Sequence, residues 1–414
     1  MLKKFIAGVN KRVLTNFLSL SVLQGTNLLL PLITFPYLVR VLGIEKFGLI
    51  SFALATVAYF EIITDYGFDL SATRQISINR NNKEKIVSVY SAVLSIKAIL
   101  SLVSLVLLTI LVFSFSKFSD FFLVYFFTFG RVIGKSLFPV WFFQGMEKMK
   151  ITTYLNILAK ALFTVAIFIF VKEEADFLLV PIFNSMGFIV VGFVAIIQIR
   201  AGFGVHFKLQ SKETLVEQFK DGWHIFLSRI YVNLYTTTNT FLLGIMTNNV
   251  IVGYYSVAAK IIEALTSLFI PANNALYPYM SKLFHDNVEK FYDLVKKISW
   301  FYLGVSAILF LGAFYFGKEI VILVNGTFEP AIYIIYAIMT FRIFLAPYAN
   351  FYTQVLINQN RKKEYLKIVK YTFIANMILV PIAIYYYSGT GMAAATILVS
   401  AFHVLLFFSY RLKV

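Results

Sequence analysis

Residues 86–115 read IVSVYSAVLSIKAILSLVSLVLLTILVFSF, and Lys97 is the one charge among them. At about 1.5 Å per residue, a helix of this length exceeds the roughly 30 Å hydrocarbon core of a bilayer. In water it would leave an apolar cylinder uncovered. In lipid its backbone groups pair internally, and its side chains need no further cover. The stretch predicts a membrane-spanning helix, and the chain repeats the pattern. Similar runs fall near 14–39, 47–69, 120–143, 151–171, 177–199, 222–246, 250–280, 292–316, 330–357, 365–387 and 389–410. The fold class expected is all-α, a polytopic membrane protein of about 12 transmembrane helices.

The composition agrees. Of 414 residues, 59% are hydrophobic and 14% charged, whereas a soluble domain carries about a quarter charged residues. The run from Val13 to Val39 is too long for a signal-peptide core and lacks a small-x-small cleavage site, so it is expected to remain as the first span. With no cysteine, thiolate metal sites, thiol nucleophiles and disulfides are excluded. A net charge of +17 would suit nucleic acid, but the basic residues gather in short loops between apolar runs, as orientation signals do. No nucleic-acid partner is expected.

Alternate loops divide these basic residues unevenly. One side holds 24, including Lys11, Arg74, Lys148, Lys212, Lys290, Arg361 and Arg411; the other holds Arg40, Lys46, Lys117, Lys172 and Lys318. The positive-inside rule then puts both termini in the cytoplasm, with an even number of spans.

The stretch before the second span reads Gly48-Leu49-Ile50-Ser51-Phe52-Ala53, and that before the eighth reads Gly253-Tyr254-Tyr255-Ser256-Val257-Ala258. Both are G-x-x-S-x-A. Spans 4 and 10 pair more loosely through Arg131 and Arg342. Six spans separate the copies, which predicts a parallel repeat about the membrane normal, with lobes at 1–205 and 206–414.

Ten ionisable residues lie well inside spans: Glu61, Asp65, Lys97, Arg131, Lys135, Lys160, Arg229, Lys260, Glu263 and Arg342. Seven are cations. Facing lipid, these would cost on the order of 20 kcal/mol together, so they are expected to face a wet cavity or one another. Lys260 and Glu263, spaced i,i+3, can neutralise each other, and Glu61 and Asp65 can pair with cations on neighbouring spans. Cations still exceed anions, and such an excess suits an anionic substrate whose hydration the fixed charges replace. Arg131, Lys135, Lys160 and Arg342 are the first candidates for substrate binding, with Lys97 and Arg229 second. Glu61, Asp65 and Glu263 are candidates for ion coupling. Polar residues such as Gln24, Asn27, Asn156, Asn184 and the run Thr236–Thr240 suit a wet cavity, or hydrogen bonds between helices. Pro31, Pro36, Pro271, Pro278 and Pro347 permit bends.

Enzyme motifs are missing. Gly130-Arg131-Val132-Ile133-Gly134-Lys135-Ser136 is one residue short of a P-loop and lies within a span. The four histidines have no metal-ligand spacing. No cofactor and no enzymatic activity are expected.

Two further stretches are more specific: Tyr66-Gly67-Phe68-Asp69-Leu70-Ser71-Ala72-Thr73-Arg74-Gln75-Ile76-Ser77, and Pro139-Val140-Trp141-Phe142-Phe143-Gln144-Gly145-Met146-Glu147-Lys148-Met149-Lys150. Both resemble the Wzx-type O-antigen and polysaccharide flippases of the multidrug/oligosaccharidyl-lipid/polysaccharide exporter superfamily. The resemblance runs from about residue 10 to 410 and is more specific in the N-terminal half. It implies two six-helix lobes around a central cationic cavity. It also implies a lipid-linked substrate, an undecaprenyl-diphosphate-linked oligosaccharide unit, moved from the inner to the outer leaflet of the bacterial cytoplasmic (inner) membrane. Membrane lipids and other polysaccharide assembly proteins would be its partners. A cation-coupled drug or solute antiporter of the same superfamily is the alternative, and it would want an acidic cavity rather than a basic one.

Overall fold

The computed structural model describes residues 11–411; the side chains of 11–29, 224, 228–237, 362 and 410–411 lie outside the described residues. The expectations for Gln24, Asn27, Arg229, Thr236 and Thr237 fall there. Among the described residues there are helices and no strands. In order these are α1 (Lys11–Asp65), α2 (Phe68–Ile78), α3 (Lys83–Ser114), α4 (Ser116–Ser119), α5 (Phe122–Leu137), α6 (Val140–Gly145), α7 (Met149–Phe170), and, after a short 3₁₀ turn, α8 (Leu179–Phe203). Then follow α9 (Lys212–Met246), α10 (Asn249–Ser267), α11 (Ile270–Asp286), α12 (Val288–Tyr315), α13 (Gly317–Asn325), α14 (Pro330–Met339), α15 (Arg342–Asn358) and α16 (Lys362–Arg411). The chain is a multi-pass membrane protein of all-α class. Eight described helices are long and apolar enough to cross a membrane, or nine if α14 and α15, bent by 41°, make one span.

Two of the long helices are hairpins. In α1 the backbone leaves helical geometry at Gly43 (φ 72°, ψ 169°). The rings of Phe35 and Phe47 then lie 5.6 Å apart, where a straight helix would separate these residues by about 18 Å. Gly43 suits the turn because a residue without Cβ takes positive φ freely. In α16 the break is at Ser388 (φ 54°, ψ −130°). There the Thr372 hydroxyl and His403 Nδ1 come within 2.8 Å, although a straight helix would hold them about 46 Å apart.

Contacts divide the chain into two compact units, Met1–Thr34 with Ala53–Ile230, and Phe35–Phe52 with Tyr231–Val414. The first has a core built on Phe68, Tyr90, Trp141, Phe142 and Phe143; the second is built on Phe291, Tyr302, Phe351, Tyr352 and Phe407.

Within the second unit the two G-x-x-S-x-A copies meet each other. A Cβ on Gly48 would collide with the Asn249 carbonyl oxygen, and a Cβ on Gly253 would collide with the Ile44 carbonyl oxygen. Each glycine faces the residue four positions before its counterpart, so the contact is reciprocal. The glycines are the part of the motif that the crossing requires, since only a missing Cβ lets two backbones come this close.

Candidate functional site

The carboxylates come first. Glu61 and Asp65 lie one turn apart on the second arm of α1, so they project from one face. Across from them stand α3 and α5, the latter held beside α1 by the Phe60–Phe129 ring contact at 6.0 Å. Glu61 is shared by two cations. Arg131 Nε lies 2.7 Å from one carboxylate oxygen, and Lys135 Nζ donates to the other at 2.6 Å. Asp65 pairs with Lys97 at 3.1 Å, and there the burial is lopsided, with the Lys97 side chain 5% exposed and that of Asp65 46%.

The i,i+4 spacing that puts Arg131 and Lys135 on one face also sets them over one ring. Their charged groups lie 5.7 and 5.9 Å from the centre of Phe188 on α8, close enough for cation–π attraction. Lys160 on α7 is near enough for its charge to feel both Arg131 and Lys135. Two cations thus share one carboxylate with a third cation in their field, so the first unit keeps a positive excess at this place.

Close helix approach makes this geometry possible. A Cβ on Gly130 would sit 2.8 Å from the Ser185 Cβ, and one on Gly134 would sit 2.6 Å from the Phe188 Cβ and 2.7 Å from the Ile189 nitrogen. The Ser185 hydroxyl donates to the Phe127 carbonyl at 2.6 Å. The P-loop-like stretch is therefore a G-x-x-x-G packing face that brings α5 against α8. Phe188 was missed in the sequence reading; the Gly130/Gly134 spacing was the signal that some large residue sits opposite.

The remaining candidates are placed elsewhere. Arg342 is the first residue of α15, at the bend after α14. It lies half-buried in the second unit, near enough to influence the Tyr255 hydroxyl. Among the described residues it has no ion pair. Glu263 and Lys260 on α10 are both exposed, and no ion pair joins them among the described residues. The Arg229 side chain lies outside the described residues.

The two specific stretches of sequence form a clasp rather than a cavity wall. Tyr66 and Gly67 take positive φ (46° and 76°) and end α1 abruptly. The Tyr66 ring stacks on Phe219 and Phe226 of α9, with centroids 4.3 and 4.6 Å apart. Asp221 accepts from Arg74 at 2.7 Å and from Gln75 at 2.8 Å. The Thr73 hydroxyl lies 3.2 Å from the Trp141 carbonyl, and Arg80 donates to the Gly145 carbonyl at 2.7 Å while pairing with Glu147. Just before this part of α9, the Glu213 carboxyl is held below its usual range by its backbone hydrogen bond and by the Ser211 hydroxyl. The residues that carried the resemblance thus fix α2, α6 and the start of α9 to one another.

Residues 13–284 match the profile of a family described as polysaccharide biosynthesis protein. The chain belongs to that family. Two relatives, both named "Putative O-antigen transporter", support the membership. The one from Escherichia coli (strain K12) is 32% identical over 371 residues, covering 88% of each chain. The one from Shigella dysenteriae is 27% identical over 398 residues, covering 94% of this chain and 98% of its own. The fold is shared with a multidrug resistance MATE family transporter of the MOP superfamily in an inward-facing conformation, at TM-score 0.73 and 13% identity, covering 93% of this chain and 94% of that one. It is also shared with the lipid II flippase MurJ in an inward closed conformation, at TM-score 0.71 and 14% identity, covering 96% and 87%. The resemblance carried by the two stretches is correct at the level of the family.

Proposed function

We propose that this protein flips an undecaprenyl-diphosphate-linked oligosaccharide unit from the inner to the outer leaflet of the bacterial cytoplasmic membrane. In this reading twelve spans form two lobes, 1–205 and 206–414, both termini are cytoplasmic, and the lobes alternate access to the substrate. The relatives named as O-antigen transporters support the substrate class. The observation that carries the reading is that Arg131 and Lys135 share the carboxylate of Glu61, with the charge of Lys160 acting on both cations.

Glu61 is the resident counter-ion there. A diphosphate offers several oxygens to Arg131 and Lys135 where Glu61 offers two, and it satisfies Arg131 in bidentate fashion. It therefore displaces Glu61 without leaving the cations bare. Arg342, with no carboxylate partner among the described residues, is the candidate anion-binding cation of the second unit. Glu61, once displaced or protonated, is the group through which a proton gradient would act; Asp65 and Glu263 are the other coupling candidates. A cationic drug would meet positive charge at this cluster, which speaks against the antiporter reading.

The test is complementation. Arg131→Gln, Lys135→Gln, Lys160→Gln and Arg342→Gln are each expressed in a strain lacking the gene, and surface glycan is measured together with the lipid-linked precursor left on the inner leaflet. Each is expected to lower surface glycan at least about tenfold, equivalent to about 1.4 kcal/mol at the limiting step, while the protein still inserts. Full complementation by all four would remove the site assignment.

A further inference from the structure

A crevice of about 910 Å³ opens in the first unit between α3, α5 and the end of α8. That volume is at the upper end of the range for small-molecule pockets. Along α3 its lining runs from Tyr90 to Leu105, about 22 Å at the helical rise. Most of the lining is apolar, and Leu102 and Ile133 are exposed, at 64% and 39%. The opening therefore faces the bilayer side of the protein.

One end differs. Arg200 and His206 line it, and no carboxylate lines any part of the crevice. Both are exposed and neither has an ion pair among the described residues. The Lys208 backbone N–H donates to the Ser91 hydroxyl at 3.0 Å, which ties this end to the Tyr90 end of the lining. The Lys83 ammonium lies beside Gly204, 2.8 Å from where its Cβ would be, and adds a further positive charge. These residues belong to the Lys/Arg-rich side of the chain, the cytoplasmic side by the positive-inside rule.

An apolar channel about as long as an acyl chain, cationic only at its cytoplasmic end, matches an amphiphile with an anionic head. Two sources have that form: a phospholipid of the bilayer, and the isoprenoid chain of the transported molecule. The faces of α5 decide between them. Arg131 and Lys135 are turned to Glu61 and Phe188, whereas Phe129, Ile133, Ser136 and Leu137 line the crevice. The crevice has its own cationic end, separate from the cluster, so its occupant brings its own headgroup. We propose that it holds one anionic phospholipid of the cytoplasmic leaflet, its phosphate against Arg200 and His206 and one acyl chain along α3.

Native mass spectrometry of the full-length protein in detergent tests this without any transport readout, so it stands or falls apart from the flippase reading. Delipidated protein is titrated in separate arms with phosphatidylglycerol, phosphatidylcholine and undecaprenyl phosphate. One phosphatidylglycerol is expected to bind at lower concentration than either of the others. Arg200→Gln should weaken that binding about fivefold, the effect of one basic group near an anionic lipid. Ala98→Trp, placed on an exposed lining position, should abolish it, and Arg131→Gln should leave it unchanged. Elution volume reports that each variant is folded. Equal binding of phosphatidylcholine, indifference to both Arg200→Gln and Ala98→Trp, or a loss in Arg131→Gln as large as in Arg200→Gln would overturn the proposal. Preference for undecaprenyl phosphate would also overturn it, by making the crevice a seat for the cargo's chain.

Discussion

Arg131 and Lys135 of the first unit share Glu61, and Lys97 beside them has Asp65; Arg342 and Lys260 of the second unit meet no carboxylate among the described residues. The same residue types thus live under two regimes. In the first unit Lys97 is buried, Arg131 and Lys135 are partly exposed, and all three are held by counter-ions. In the second, Lys260 is exposed and Arg342 half-buried at a helix bend, so solvent or a ligand provides what no carboxylate does. The lesson is that a charge inside a span is not of itself a binding group. What matters is what already holds it: an internal carboxylate that a substrate must displace, or none, so that the charge is open from the start.

Substitutions that remove the counter-ion sharpen this contrast. Glu61→Gln strips two cations of their one shared carboxylate, a side chain only 12% exposed. Breaking a buried pair costs about 3–5 kcal/mol, and the partial exposure of both cations places the expected loss near the lower limit. Thermal unfolding in mild detergent should shift down by several degrees, and Glu61→Gln combined with Arg131→Gln should recover part of the loss. A double variant no better than the single would mean that the pair is not the source of the effect. Asp65→Asn is expected to cost less, about 2 kcal/mol, because Asp65 is half-exposed although the Lys97 it serves is buried. Arg342→Gln should change stability by no more than about 0.5 kcal/mol, since no internal pair is broken. A loss as large as that of Glu61→Gln would erase the distinction between the two units.

The membrane class was legible because it needs only a count of apolar residues per run, and the spans expected over 86–115 and 151–171 fall on α3 and α7. The G-x-x-S-x-A repeat was legible as a pattern. Its reason was not, because the collision of Gly48 with Asn249 and of Gly253 with Ile44 joins residues some 200 positions apart. Of the candidate site, the sequence offered Arg131 and Lys135 as one face, which follows from helical spacing. That Glu61 holds both, and that Phe188 lies beneath them, depends on how α1, α5 and α8 pack. The two stretches that identified the family proved to build a clasp around Tyr66, Gln75 and Asp221. A specific sequence signal can mark a demanding piece of architecture as readily as a binding site.

By itself, then, the sequence determined that this chain lives in a membrane, that it is helical and that it carries more cations than anions within its spans. These are consequences of local composition and of the 3.6-residue period, which each segment expresses on its own. Only the tertiary structure decided which cation meets which carboxylate. The energy of an ion pair depends on distance and burial, and both are set by helices that are neighbours in space and not in sequence. The span that opened the reading shows both halves: its length put it in the bilayer, while only packing gave its single charge, Lys97, to Asp65.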